Sequence, residues 1–334
     1  MSVVVPLLRN PITANMAFVH TKDRIFLRPS FVHLCGRHRP MALSKVAAAA
    51  LDRRARRHGA QHWLAAAARL WNGAHVAARA SGPAPTPDLT LFEYEASPFC
   101  RRVRETLCIL GLRTLILPCP RETLRREGAY GTGSQHKDKV RDLSSDVKLL
   151  FPVLHDRTAG VALNQSAVIC EHLWSNYGHG VDRPRVDALL NGRQLPRPLD
   201  FALLAAPSSL RPWPSAGLMA AAPSPGAEAL SLTPLIVHGC EPDPGCRLLR
   251  ERLCELQLPY VHVPTSIDAP LPHLEDPTSG FRCFGAHHAL EYLETRYRGA
   301  PCLSLGAPVP EPNFGDGDRK SWLTYALAAL PSEL

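Results

Sequence analysis

The chain is 334 residues long with 45% hydrophobic and 20% charged residues, which excludes a disordered polymer and allows two domains of about 100 residues plus extensions. Its net charge of +8 is uneven: residues 1–80 carry 13 Lys/Arg against Asp23 and Asp52, leaving 25 basic and 28 acidic residues for the rest. A nucleic-acid surface needs its charge on the folded part, and no apolar run reaches the roughly 18 residues of a membrane-spanning helix, so neither nucleic acid nor a membrane span is expected.

Residues 1–60 are rich in Arg, Ala, Val and His and poor in acids, as organelle-targeting segments are. Val46–Leu51 followed by Arg53, Arg54, Arg56 and Arg57 predicts a basic amphipathic helix there, the alternative being a disordered basic tail. Residues 61–86 read as a helical extension.

From residue 87 to 180 the pattern is that of a first module. A short apolar strand at Leu89–Tyr94 runs into a Pro-containing turn and a helix whose Val103, Leu107 and Leu110 form one stripe. A strand at Thr114–Leu117 follows, then a polar stretch, Arg121–Lys148, with room for a short irregular helix. A hairpin, Pro152–His155 with Val161–Leu163, is turned by Asp156 and Gly160. A last helix spans Ser166–Tyr177.

Residues 181–231 form a Pro/Ala-rich linker, with a short helical piece expected near Leu199–Ala205. Residues 232–300 then repeat the first module. Cys100, Arg101, Arg104, Glu105, Leu107, Cys108 and Leu110 recur 146 positions later as Cys246, Arg247, Arg250, Glu251, Leu253, Cys254 and Leu256. Glu171, Leu173 and Tyr177 recur 120 positions later as Glu291, Leu293 and Tyr297, so the second copy has lost about 26 residues where the first has its polar stretch. The tail, 301–334, predicts a short helix at Lys320–Leu330.

The ten cysteines contain no C-x-x-C pair, and His287-His288 and Cys240/Cys246 lack further ligands at sensible spacing, so no metal is expected. Cys108, Cys170 and Cys254 lie on apolar helix faces, where Cys packs as a small hydrophobe.

The order β-α-β-(α)-β-β-α is that of the thioredoxin-like fold. The expectation is an α/β architecture of two tandem modules, the second truncated, with helices on both faces of a mixed sheet. The string Glu95-Ala96-Ser97-Pro98-Phe99-Cys100, the Phe151-Pro152-Val153-Leu154 segment and Asn164-Gln165-Ser166 resemble, in order and spacing, the active-site turn, Val-Pro and Glu/Gln-Ser motifs of glutaredoxins and glutathione transferase amino-terminal domains. Tandem copies behind a transit-like leader are also similar to a plastid protein group of plants and algae.

That resemblance implies glutathione as ligand or co-substrate. Pro152 would be a cis-proline leaving the Val153 backbone to pair with the cysteinyl part, with Phe99 beside it. Ser166, starting a helix, would meet the γ-glutamyl carboxylate, with Gln165 accepting from the α-amino group; the alternative for Ser166 is a plain N-cap. Ser97 stands where a redox C-x-x-C motif has its attacking Cys, so its hydroxyl would orient a bound thiolate, and a dithiol cycle is excluded. Cys100 is either a resolving thiol or a semi-buried structural one. Arg101, Arg102 and Arg104 add positive potential or are solvated helix charges. In the second copy Asp243 replaces Ser97, and Gly285-Ala286 replaces Gln165-Ser166, leaving Pro272. That copy reads as structural or as a protein-interaction surface. Two functions stay open: a glutathione-binding, transferase-like protein with weak conjugation or thiol transfer, or a non-catalytic assembly factor. The expected location is the plastid, with the mitochondrion as alternative.

Overall fold

In the computed structural model of the chain, the residues described are 63–80, 85–120, 134–143, 150–192, 199–200, 202–204 and 233–297. The expected leader helix, the linker beyond residue 204 and the expected tail helix at Lys320–Leu330 lie outside them.

The first half runs β1 (Leu89–Glu93), α1 (Pro98–Leu110), β2 (Thr114–Pro118), α2 (Lys137–Leu143), β3 (Val153–Asp156), β4 (Val161–Asn164), α3 (Ser166–Tyr177) and α4 (Arg185–Asn191). The second runs β5 (Leu235–Gly239), α5 (Pro244–Glu255), β6 (Tyr260–Pro264), β7 (His273–Asp276), β8 (Phe281–Phe284) and α6 (Ala286–Arg296). All eight strands form one sheet, in the order β4-β3-β1-β2-β6-β5-β7-β8. Within each half the first two strands are parallel and the hairpin antiparallel, so the same mixed sheet is laid down twice.

The halves meet at β2 and β6. Thr114 pairs with His262, Leu115 with Val261 and Ile116 with Tyr260. At the repeat offset of 146, Leu115 and Val261 are each other's counterparts, so the antiparallel pairing is centred on a local two-fold axis.

Alternation along the strands assigns two faces. Leu89, Leu91, Ile116 and Leu154 point to one face with Leu235, Val237, Tyr260 and Leu274. There they meet the predicted helix stripes, Val103/Leu107/Leu110 and Leu249/Leu253/Leu256, all buried, together with Leu173 and Leu293 of the last helices. One apolar core therefore runs under both halves. Each last helix is also pinned to its hairpin turn by a buried carboxylate: Asp156 accepts from Tyr177 Oη at 2.6 Å and Ala159 N–H at 2.9 Å. Asp276 accepts from Tyr297 Oη at 2.7 Å and Thr278 N–H at 2.8 Å.

The opposite face differs between halves, and here the expectation of helices on both faces holds only in part. In the first half α2 covers it, Val140 and Leu143 joining a cluster with Phe92, Leu115, Leu117 and Val153. In the second half β6 passes to β7 through a short loop after Pro264, and no described helix lies over that face. Among the described residues of the extension, 63–68 are helical. Beyond that it is fixed by cross-contacts: Ile267 N–H donates to Ala74 O at 2.8 Å, and Val76 N–H to Ser266 Oγ at 3.1 Å.

Candidate functional site

The ends of β1, β3 and β4 bring the three sequence motifs to one end of the first half. After β1 the chain turns, Ser97 N–H donating to Tyr94 O at 3.1 Å. Ser97 then caps α1: its extended backbone (φ −71°, ψ 125°) aims Oγ at the Cys100 N–H, 3.2 Å away, and Pro98 follows at the helix start, where no N–H is needed. Ser97 is fully enclosed, while Phe99 is half-buried. Cys100 is wholly enclosed too. Burial, then the carboxylate of Glu93, push its thiol far up against the weaker opposing pull of the Ser97 hydrogen bond and Arg104. It is a packed, protonated thiol at neutral pH, as Cys108, Cys170 and Cys254 are.

The Phe151–Pro152 bond is cis. Val153 is paired in register with Phe92 on β1 and Asn164 on β4, so both its neighbours are filled, and its backbone is not available to a tripeptide as the resemblance implies. The correction follows from topology: Val153 is already inside the sheet, and the residue at the strand's mouth is Phe151, before the cis bond, whose ring meets Tyr94 edge-on at 6.3 Å. Pairing of Val153 with Asn164 puts Pro152 beside Gln165 across the hairpin's open end.

Gln165 has φ 68° and ψ 113°, a backbone region that side-chain-bearing residues seldom occupy. It is exposed, occupies the cap position of α3 itself and makes no side-chain capping bond. The plain N-cap alternative for Ser166 is thereby corrected: Ser166 is the first helical residue and is 5% exposed.

The second half retains this frame in closed form. Asp243 caps α5, its Oδ1 accepting from Cys246 N–H at 2.7 Å, which accounts for a carboxylate at that position without any ligand. Leu271–Pro272 is cis, and Gly285 N–H donates to Pro272 O at 2.8 Å. Gly245 stands where the first half has Phe99. A Cβ there would fall 2.8 Å from Pro272 Cδ and 3.4 Å from Ala286 Cβ, so helix start and cis-proline are already in contact.

Both sequence alternatives for the helix arginines are overturned: Arg101, Arg102 and Arg104 are buried and ion-paired. Arg104 reaches Glu93 at 2.5 Å, Glu95 at 3.1 Å and Glu241 at 2.8 Å. Arg250 reaches Glu95 and Glu241 at 3.0 Å each. Arg104/Arg250 and Glu95/Glu241 are both pairs at the offset of 146, so each arginine binds the other half's glutamate across the two-fold axis as well as its own. Arg102 pairs with Asp200 and donates to Leu190 O at 3.2 Å. Glu105 is clasped by Arg69, Asn72 and Asn191. Burial opposes charge on Glu241, yet Arg104, Arg250 and Arg101 outweigh it and hold the carboxyl at about 2. For Glu93, burial outweighs Arg104, and Glu95 and Glu241 add to it, pushing the carboxyl up to about 7. Sequence reasoning missed Glu95 and Glu241, although their identity at the repeat offset was visible.

It also missed a cluster on the uncovered face of the second half, His238, His273 and Glu275, whose ligand-type atoms lie within 4.8 Å of one another. These come from two strands 35 residues apart, so linear spacing gives no cue; the register does, because His238 pairs directly with His273.

Among the described residues no helix is long and apolar enough to cross a membrane. In comparison with known proteins, no curated protein and no solved structure matches the chain. Residues 91–184 match the family model described as Glutathione S-transferase, N-terminal domain. The matched stretch holds the cis-proline, the serine-capped helix and the Gln-Ser helix start on a mixed α/β sheet. Residues 91–184 are thus similar to a glutathione S-transferase N-terminal domain, and their mixed α/β sheet is consistent with its thioredoxin-like fold.

Proposed function

We propose that the first half binds glutathione, and that the second is a degenerate copy of the same module whose task is to complete the sheet. The observation that carries the reading is the meeting of cis-Pro152 with the positive-φ Gln165 and the start of α3, within a domain of this family. Backbone N–H groups at a helix start favour a carboxylate, which gives the γ-glutamyl end its place at Ser166, with the exposed Gln165 accepting from the α-amino group. The cysteinyl backbone pairs with Phe151. Ser97 Oγ accepts from Cys100 N–H, which leaves its hydroxyl hydrogen for a thiolate. Because Ser97 is enclosed and Cys100 stays protonated, binding with at most weak conjugation is expected, and thiol transfer through Cys100 is not part of the proposal. The basic leader directs the chain to a plastid.

Calorimetric titration of the full chain with glutathione tests the reading. Heat saturating in the millimolar range supports it, and Ser97→Ala should lower any conjugation rate without unfolding the chain. Absence of heat at millimolar glutathione ends it.

The enclosure of Ser97 and the uncovered sheet face of the second half favour a second reading, a non-catalytic plastid assembly factor that meets a protein partner through its second module. Recovery of one stoichiometric partner from plastid extract, unaffected by Ser97→Ala and with no glutathione binding, would select it.

A further inference from the structure

We infer that the uncovered face of the second half is a binding site for a divalent transition-metal ion of the zinc class, held by His238, His273 and Glu275. The three side chains project from the same face, because His238 on β5 is directly opposite His273 on β7 and Glu275 lies two residues further along β7. Glu275 Oε1 is 3.1 Å from His238 Nε2 and 3.7 Å from His273 Nε2. Ligands placed about 2.0–2.1 Å from a tetrahedral zinc are roughly 3.4 Å apart; both glutamate–histidine separations match this to within tenths of an ångström, and all three ligand atoms already lie within 4.8 Å of one another.

The rings are held for the purpose. His238 and His273 stack at 4.8 Å with planes 24° apart, and Phe284 stacks on the outer side of His273 at 4.3 Å. Both rings bring a nitrogen to the same oxygen, Glu275 Oε1. Arg282 Nε occupies the second carboxylate oxygen of Glu275 at 3.2 Å, which fixes the orientation of the first, as outer partners of metal-binding carboxylates do.

Comparison of the halves adds an independent reason. At the repeat offsets the counterparts of His238 and His273 are Phe92 and Val153, which are 3% exposed and belong to the cluster that includes Val140 of α2. Where the covering helix is gone, any polar residue would have restored solubility to the face. The pair is instead two imidazoles with a carboxylate in reach, a donor set suited to Zn(II) and its neighbours rather than to calcium or magnesium. The ion takes the Nε2 lone pair of the neutral ring, so the proton of that ring is carried on Nδ1 and Glu275 Oε1 turns from His238 to the ion. Three protein ligands leave a fourth position for water or an incoming donor.

The full chain, freed of metal by a chelator, is titrated calorimetrically with Zn2+, and its Co2+ form is examined by absorption. Expected are saturation at one ion per chain and a Co2+ spectrum of nitrogen and oxygen ligands without a sulfur charge-transfer band. His238→Gln, His273→Gln and Glu275→Gln should each weaken binding by about ten-fold or more, while His287→Gln, on an exposed histidine of α6, leaves it unchanged. In the unaltered chain, Zn2+ should protect His238 and His273 from diethylpyrocarbonate, read by mass spectrometry. Undiminished affinity in the His238→Gln/His273→Gln double variant, a sulfur band, or no protection of these two rings would overturn the assignment.

Discussion

The two halves share a sheet, a core and a cis-proline, but they keep different things. The first keeps a covered outer face, a bulky residue at Phe99 and polar groups at Gln165-Ser166; the second has an outer face over which no described helix lies, Gly245 packed onto Pro272, and Gly285-Ala286. What both retain most faithfully is Arg104/Arg250, Glu95/Glu241 and Cys108/Cys254, and these line the seam around the two-fold axis. Identity between the copies therefore reports assembly of the sheet, and difference between them falls at the motif end, where the proposed glutathione site lies.

The largest test of that comparison is at the seam. Removing one partner of a buried charge network costs about 3–5 kcal/mol, so Arg104→Met and Arg250→Met should each lower the denaturant midpoint steeply. Arg104, which faces three carboxylates to the two of Arg250, should cost more. Equal and small effects would mean that the halves are held by the apolar core alone.

A pH dependence should follow from Glu93, whose counterpart in the second half is Gly239. Its folded carboxyl lies at about 7, above its ordinary 4.5, so its contribution is complete below the ordinary value and is lost as pH rises through 7. The loss is of the order of 2–3 kcal/mol. Stability measured from pH 5 to 8 should fall in the parent chain and flatten in Glu93→Gln. Glu241 acts oppositely and only in strong acid, its contribution disappearing as pH falls through about 2.

Closure of the second site is tested by Gly245→Ala, which drives a methyl to 2.8 Å from Pro272 Cδ. Overpacking of this kind costs about 1–3 kcal/mol, whereas Phe99→Ala in the first half should leave the thermal midpoint nearly unchanged and alter only glutathione binding. The smallest expected effect is a reciprocal exchange. Gln165→Gly relieves a backbone at φ 68° and should stabilise by about 1 kcal/mol while weakening glutathione binding. Gly285→Gln, at φ 83° with open space around it, should destabilise by a similar amount without affecting any ligand.

Much of this was legible in the sequence. Strand and helix limits followed from apolar periodicity because one face of each element is buried, and the stripes Val103/Leu107/Leu110 and Leu249/Leu253/Leu256 are the core contacts. Both cis-prolines were placed by motif resemblance. The arginines of α1 were misread because a charge on a helix is normally solvated, and only the second half's Glu241 reveals where Arg104 points. Val153 was misassigned because pairing partners on both sides of a strand cannot be seen from one strand. The His238/His273 pair depends on register between strands distant in sequence, which local patterns do not encode.

The β2–β6 pairing about Leu115 and Val261 has the geometry of a homodimer contact, yet both partners belong to one polypeptide. In a dimer of identical subunits every substitution is made twice, so neither copy can shed its ligand groups while the other keeps them. Here each residue changes once. Covalent continuity fixes the pairing at one copy of each half and frees the second from any duty to match the first.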